Sequence, residues 1–277
     1  MSQSQPVAAT AAAEEAGPLL STRDGDVAVL TLARPQTRNS LSNAMLQGLA
    51  AALAELRETR AVRAVVLTAA GPVFSAGHDL KELQAARTEP DGGRAAYADV
   101  LGRCAAVMQA IVALPQPVIA AVQGTATAAG CQLVATCDLA VAASHAKFCT
   151  PGVNIGLFCS TPMVALSRAV GRKAAMEFLL TGDLVPAGKA CALGLVNRVV
   201  ADAELRAAVA ALATQIVSKS PLTLKIGKRA FYHQAGMPVE DAYAYTAEIM
   251  TRNMLAHDAE EGIDAFLQKR PPVWTGR

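Results

Sequence analysis

The sequence predicts an α/β protein with parallel strand pairing, and three observations carry that prediction. Short apolar runs alternate with longer segments of helical spacing through the first two thirds of the 277 residues. Two of those runs, Ala64-Val65-Val66-Leu67 and Val118-Ile119-Ala120-Ala121-Val122, are each followed by a turn of small residues and then by a helix-like segment. The last third reads as helix after helix, with no further alternation.

Residues 1–20 are rich in Ala, Ser and Gln and carry Glu14-Glu15 but no Arg or Lys. They match neither a signal peptide nor an Arg-rich transit peptide and read as a disordered tail. Residues 26–32 alternate like a strand and end at Arg34-Pro35. Ser40 or Ser42 then caps a helix whose Leu46, Leu49, Leu53 and Leu56 share one face. A strand over 64–68 leads into the first small-residue turn, Phe74-Ser75-Ala76-Gly77-His78-Asp79-Leu80.

Helical spacing covers 94–113 until Pro115 and Pro117 force an extended entry into the strand 118–122. The second turn, Gly124-Thr125-Ala126-Thr127-Ala128-Ala129-Gly130-Cys131-Gln132, opens a helix at 131–136, followed by a strand at 138–142. Helices follow around 162–169 and 174–180. A linker and helix at 182–192 precede a strand over 194–200. From Leu205 to Lys269 the pattern is helical, with breaks at Pro221 and Gly236-Met237-Pro238. The chain divides into the tail 1–20, an α/β core over 21–215 and a helical region over 216–277.

Composition narrows the function. Hydrophobic residues make up 52 % and charged residues 17 %, yet no uninterrupted apolar run reaches the roughly 18 to 20 residues that span a bilayer, so a soluble protein with no membrane span is expected. The formal net charge is +2 with no basic, aromatic-interleaved cluster, which argues against nucleic acid. Lys225, Lys228 and Arg229 form one small basic group that suits either an anionic ligand or the wet face of a helix. Six cysteines show no CxxC and no paired metal-ligand spacing, so reduced thiols, no metal and a cytoplasmic location are expected.

Each small-residue turn should present free backbone N–H groups at a helix start. A thioester carbonyl on its way to an enolate or tetrahedral anion gains most from two such donors about 3 Å away, fixed before reaction. The donors selected are the N–H of His78, after Gly77, and that of Ala129, before Gly130. Gly-containing strand-to-helix turns are also common as plain structure.

The chain resembles the crotonase superfamily, the enoyl-CoA hydratase/isomerase family, from about Gly25 to Trp274. The landmarks are Leu32-Ala33-Arg34-Pro35 with Asn39-Ser40-Leu41, Val66-Leu67-Thr68, Phe74 through Leu83, Pro117 through Gly124, Gly130-Cys131-Gln132-Leu133 with Cys137-Asp138, and Leu180-Thr181-Gly182 with Gly194-Leu195-Val196. The resemblance implies a crotonase spiral of repeated ββα units with a helical C-terminal region for trimerisation, as a homotrimer or dimer of trimers. It implies a lyase or isomerase with no permanently bound cofactor, coenzyme A entering as part of the acyl-CoA substrate thioester. The thioester oxygen would lie between the His78 and Ala129 amides. The coenzyme portion would lie near Arg38, Ala76, the backbone of His78, Asp79, Leu80 and Lys81, and Gly130, with Phe266 and Lys269 as further contacts.

The same resemblance exposes a break. The two carboxylates that add water in such a hydratase fall on Gln132 and Gly152, and a third acidic position falls on Ser160. An amide does not titrate near neutral pH and glycine has no side chain. The substitutes are His78 as a base, and Cys149, Cys159 or Ser160 near the acyl pocket. Asn154 and Gln132 could orient a water without taking its proton. Asp138 reads as a cap or salt bridge at a strand entry. Two functions therefore stand: an enzyme with altered proton handling, or an acyl-CoA-binding homologue without catalysis.

Overall fold

The computed structural model describes residues 17–277; the tail reading of residues 1–16 lies outside them. Leu19 already opens a strand, so the tail does not run to residue 20. That strand, β1 (Leu19–Asp24), pairs antiparallel with β2 (Val27–Leu32) around Gly25. α1 (Asn43–Glu58) follows, with the Ser42 hydroxyl accepting the Met45 N–H, and buries Met45, Leu46, Leu49, Leu53 and Leu56.

Three successive units then share one pattern. β3 (Ala64–Ala69) is followed by the short β4 (Val73–Ser75), α2 (Leu80–Ala86) and α3 (Arg94–Ala113). β5 (Val118–Val122) leads to β6 (Thr125–Thr127) and α4 (Ala129–Thr136). β7 (Leu139–Ala143) leads to β8 (Lys147–Cys149), a 3₁₀ turn at Pro151–Ile155, α5 (Pro162–Ala169) and α6 (Arg172–Thr181). The long strands build one sheet and the short ones a second, so the chain winds as a spiral of ββα units.

The remaining elements are β9 (Val185–Pro186), α7 (Ala187–Ala192), β10 (Arg198–Val200), α8 (Leu205–Val217), α9 (Pro221–Gln234), α10 (Val239–Met254) and α11 (His257–Leu267). The first sheet runs β1-β2-β3-β5-β7-β10 and is parallel from β2 onward. The second runs β4-β6-β8-β9. β5 is buried throughout, which is why it reads as a continuous apolar run. One face of the first sheet is covered by α8, whose Leu205, Val209, Leu212 and Ala213 pack on Val66, Ile119, Ala121 and Val141.

The strand expected over 194–200 is confined to its last three residues, because Asn197 pairs with Ala140 through both its backbone N–H and its side-chain oxygen. A helix break at Leu255-Ala256, unmarked by Pro or Gly, restarts the chain so that buried Asp258 accepts from Ser220, Thr275 and Gly276.

Asp138 holds the strand entry, as its position suggested. Its Oδ2 accepts the Val118 N–H (2.7 Å) and the Lys228 ammonium (2.7 Å), and its Oδ1 accepts the Tyr232 hydroxyl (2.8 Å). Lys228 also donates to the carbonyls of Ile111 and Gln116, which anchors α9 to the core. Of the described helices, α3 is long and apolar enough to cross a bilayer, and its Val100, Cys104, Val107, Met108 and Ile111 are buried in the core.

Candidate functional site

The first wall of the site begins where the chain leaves β2. Arg38 (φ +54) and Asn39 (φ +50) are left-handed, a conformation that asparagine tolerates better than most residues. Asn39 is fully buried and ties three segments. Its Nδ2 donates to Ala70 and Val73 carbonyls at 2.8 Å each, and its Oδ1 accepts the Arg34 N–H at 2.9 Å. The Arg38 carbonyl accepts the Ala76 N–H (3.0 Å), while the buried Ser75 hydroxyl donates to the Asn39 carbonyl (2.8 Å) and accepts the Gly77 N–H (3.3 Å).

Leu41 then bridges His78 in parallel fashion, with its N–H on the Gly77 carbonyl at 2.7 Å. In such a bridge the bonds come from the residues flanking His78, so the His78 N–H faces away from Leu41. Asp79 caps α2 by accepting the Lys81 N–H (2.9 Å), and Ser40 reaches its other oxygen (3.3 Å). Arg38, Ala76, His78, Asp79, Leu80 and Lys81 are thereby gathered on one ledge.

The second wall is the start of α4. Ala128 is held at φ +50, ψ −118 by donating to the Cys149 carbonyl (2.9 Å). Ala129 is the first helical residue, so its N–H has no acceptor within the helix. Gly130 packs on the end of β4 so closely that a Cβ would lie 2.4 Å from the Ser75 carbonyl oxygen. A Cβ on Gly77 would lie 3.0 Å from the Ala128 Cβ and 3.2 Å from the Ala129 nitrogen. The two small-residue turns therefore meet side by side, which their separation in sequence does not disclose.

The surrounding groups are nearly uncharged. Gln132 is 4 % exposed and its Oε1 has no hydrogen-bond partner among the described residues. Gly152 is closed in: a Cβ there would lie 2.7 Å from the Leu157 carbonyl oxygen and 2.9 Å from the Cys159 Sγ. Burial raises the thiols of Cys131, Cys149 and Cys159, that of Cys149 to about 11, which removes the ready thiolate a nucleophile needs. Ser160 and Asn154 are exposed.

Burial pushes the His78 imidazole below 6.5, against the weaker opposing pull of the Leu41 carbonyl and Glu82. Its Nδ1 lies 3.4 Å from that carbonyl, and its Nε2 is buried without a hydrogen-bond partner among the described residues.

Phe266 and Lys269 are not tied to this ledge by any hydrogen bond among the described residues; α11 packs on α9 and α10, and Phe266 is 83 % exposed. The small basic group splits. Lys228 is buried on Asp138, whereas Lys225 and Arg229 face a groove of about 1140 Å³ shared with Arg57, Arg60 and Arg63. No cluster of His, Cys, Asp or Glu suited to a metal occurs among the described residues. Sequence reasoning gave no role to Asn39 or Ser75. The one signal was a run of polar residues after Arg34-Pro35, with Asn39 suited to a left-handed turn.

The model for enoyl-CoA hydratase/isomerase matches residues 22–277. The chain is 44 % identical over 272 residues to mouse enoyl-CoA hydratase domain-containing protein 3, mitochondrial, covering 98 % of this chain and 89 % of that one. It is similar to the crystal structure of an enoyl-CoA hydratase from Mycobacterium smegmatis, at 53 % identity and a TM-score of 0.89, with 93 % and 98 % of the two chains covered. It is also similar to human enoyl coenzyme A hydratase domain-containing protein 3, at 45 % identity and a TM-score of 0.88, with 93 % and 100 % covered.

The expectation of a cytoplasmic protein is overturned by relatives named mitochondrial, in mouse and rat alike. Free thiols disfavour an oxidising compartment but do not choose among reducing ones. The matched length, the identities and the shared architecture agree: the chain belongs to the enoyl-CoA hydratase/isomerase family.

Proposed function

We propose that the protein binds an acyl-CoA thioester and holds its carbonyl oxygen between the backbone N–H groups of His78 and Ala129. The observation that carries this reading is the contact of the two turns, with Gly77 against the Ala129 nitrogen. Two preorganised donors in a water-poor site stabilise an enolate-like oxyanion. The coenzyme portion would lie along Arg38, Ala76 and His78 to Lys81, beside Ala129 and Gly130, with no cofactor held permanently.

A homotrimer or dimer of trimers fits the exposed apolar side chains on the C-terminal helices, among them Val239, Tyr243, Phe266 and Leu267, each more than 70 % exposed. Phe266 and Lys269 would then meet coenzyme A carried by a neighbouring copy.

A second reading, a binding protein without catalysis, is favoured by Gln132 and Gly152 at the positions where the resemblance places the hydratase acids. Calorimetry with a panel of acyl-CoA thioesters, followed by mass spectrometry of the products, tests both. Binding with turnover supports the enzyme, and displacing one oxyanion donor should then slow it about 10²-fold or more. Binding with crotonyl-CoA hydration at background supports the second reading. No binding to any CoA thioester discards both.

A further inference from the structure

The basic side chains of α9 that the acyl-CoA reading leaves unused share a groove with other cations. Lys225 and Arg229, four residues apart, lie on one face of α9. The groove of about 1140 Å³ that they line is lined as well by Arg57, in the last turn of α1, and by Arg60 and Arg63, in the turn that leads to β3. With Arg277, six of the chain's 25 Lys and Arg side chains converge here, against Glu58 alone of its 23 Asp and Glu. The formal net charge is only +2, so the rest of the sequence is net negative.

Arg57, Arg60, Lys225 and Arg229 make no ion pair and no side-chain hydrogen bond among the described residues, and the ion pair of Arg63 is with half-exposed Asp26 at 3.9 Å. Like charges so gathered repel one another, and an anion shared among them relieves that repulsion. A cleft lined by one sign of charge also focuses its field on such an anion. The groove is distinct from the acyl-CoA site. Pro115, Gln116 and Pro117 line it at the entry to β5, whereas the two small-residue turns meet beyond the exit of β5, about 16 Å further along five extended residues.

We infer that this groove binds a chain of linked phosphates, as inorganic polyphosphate or as the tail of a nucleotide, and that the anion braces α9 against the end of α1. Guanidinium forks pair with phosphate oxygens two at a time, and cations from two segments of the chain match several linked phosphates. A carboxylate or a single phosphate satisfies only part of the set. A nucleic-acid strand is disfavoured, because its bases need stacking platforms. Tyr232, which supplies the phenol ring of the lining, is tied through its hydroxyl to Asp138. A concavity on this order of volume takes a small molecule, not the flat face of a protein.

The test is calorimetry on the full chain with sodium tripolyphosphate, ATP and AMP at matched ionic strength. Tripolyphosphate and ATP should both bind, at least about tenfold more tightly than AMP. Equal affinities for the two mean that the phosphates alone are read, and a tighter ATP means that its nucleoside adds contacts; either supports the site. The double variant Lys225→Ala with Arg229→Ala, and separately Arg57→Ala with Arg60→Ala, should each weaken tripolyphosphate by about tenfold or more. All four side chains are exposed, so both variants should fold. Tripolyphosphate should raise the Tm of the wild type and not that of either variant. Excess butyryl-CoA should leave its affinity unchanged. The inference is overturned by no binding below about 1 mM, by an affinity that survives both double variants, or by displacement with butyryl-CoA, which would place the anion on the coenzyme ledge. Tighter binding of a single-stranded oligonucleotide than of tripolyphosphate overturns it too. None of these cations belongs to that ledge, so failure of the acyl-CoA reading would leave this result standing.

Discussion

Gly77 and Ala129, far apart in the chain, stand so close that a Cβ on the first would lie 3.2 Å from the backbone nitrogen of the second. That proximity converts two separate strand-to-helix turns into one site.

Gly77→Ala should therefore damage ligand binding as well as stability. Gly77 has φ +85 and a contact on its open side, whereas Gly92 has φ +68 and nothing within 4 Å of a built Cβ. Gly92→Ala measures left-handed strain alone, about 1 kcal/mol. Gly77→Ala should cost more and weaken acyl-CoA affinity by about tenfold or more, since the Ala129 amide must shift. Matching affinities for the two variants would show that the contact has no bearing on the ligand.

Introducing carboxylates at 132 and 152 meets an obstacle at the second position. Any side chain at 152 meets the Leu157 carbonyl, which is backbone and cannot swing aside. Gly152→Ala alone should destabilise the protein by about 1–3 kcal/mol. Gln132→Glu nearly conserves volume and should fold. Urea denaturation of the two variants checks this, and wild-type stability in Gly152→Ala would mean that the loop at 152–159 yields.

The Asp138–Lys228 pair should govern how firmly the C-terminal helices are held. Both side chains are largely buried, at 15 % and 7 % exposure. Lys228→Met leaves the Asp138 carboxylate and two carbonyls short of a donor and should cost about 3–5 kcal/mol. The double variant Lys228→Met with Asp138→Leu should recover part of that loss, because the unpaired charge goes with it. Additive losses in the two single variants would remove the coupling.

His78 should make stability fall on mild acidification. Its folded value lies below 6.5, so between that value and 6.5 the unfolded chain binds more protons than the folded one. Its contribution therefore rises with pH through that window and levels off above 6.5. Titrating the imidazole by NMR should give a midpoint below 6.5, and a midpoint at or above it would contradict the burial argument.

Much of the fold is legible in the sequence, and the reason differs from element to element. Pro117 and the apolar run after it define β5, Pro162 starts α5, and Leu46, Leu49, Leu53 and Leu56 mark the buried face of α1. β4, β6 and β8 are three residues each, too short to show an alternation, so the second sheet was invisible and Phe74-Ser75 read as turn.

Within the site, His78, Ala129, Gln132 and Gly152 were chosen from residue type and resemblance. Asn39 and Ser75 were not, because their roles are hydrogen bonds to segments more than 30 residues away.

What the sequence by itself determined is the order of elements, the α/β class, the two small-residue turns and the neutral residues at 132 and 152. Only the tertiary structure decided that Gly77 abuts Ala129, that a side chain at 152 is obstructed by Leu157 and Cys159, and that Gln132 keeps an oxygen unpaired among the described residues. Local pattern reports which face of an element is buried. Close approach of two backbones depends on how the two sheets stack, a through-space quantity that no periodicity encodes.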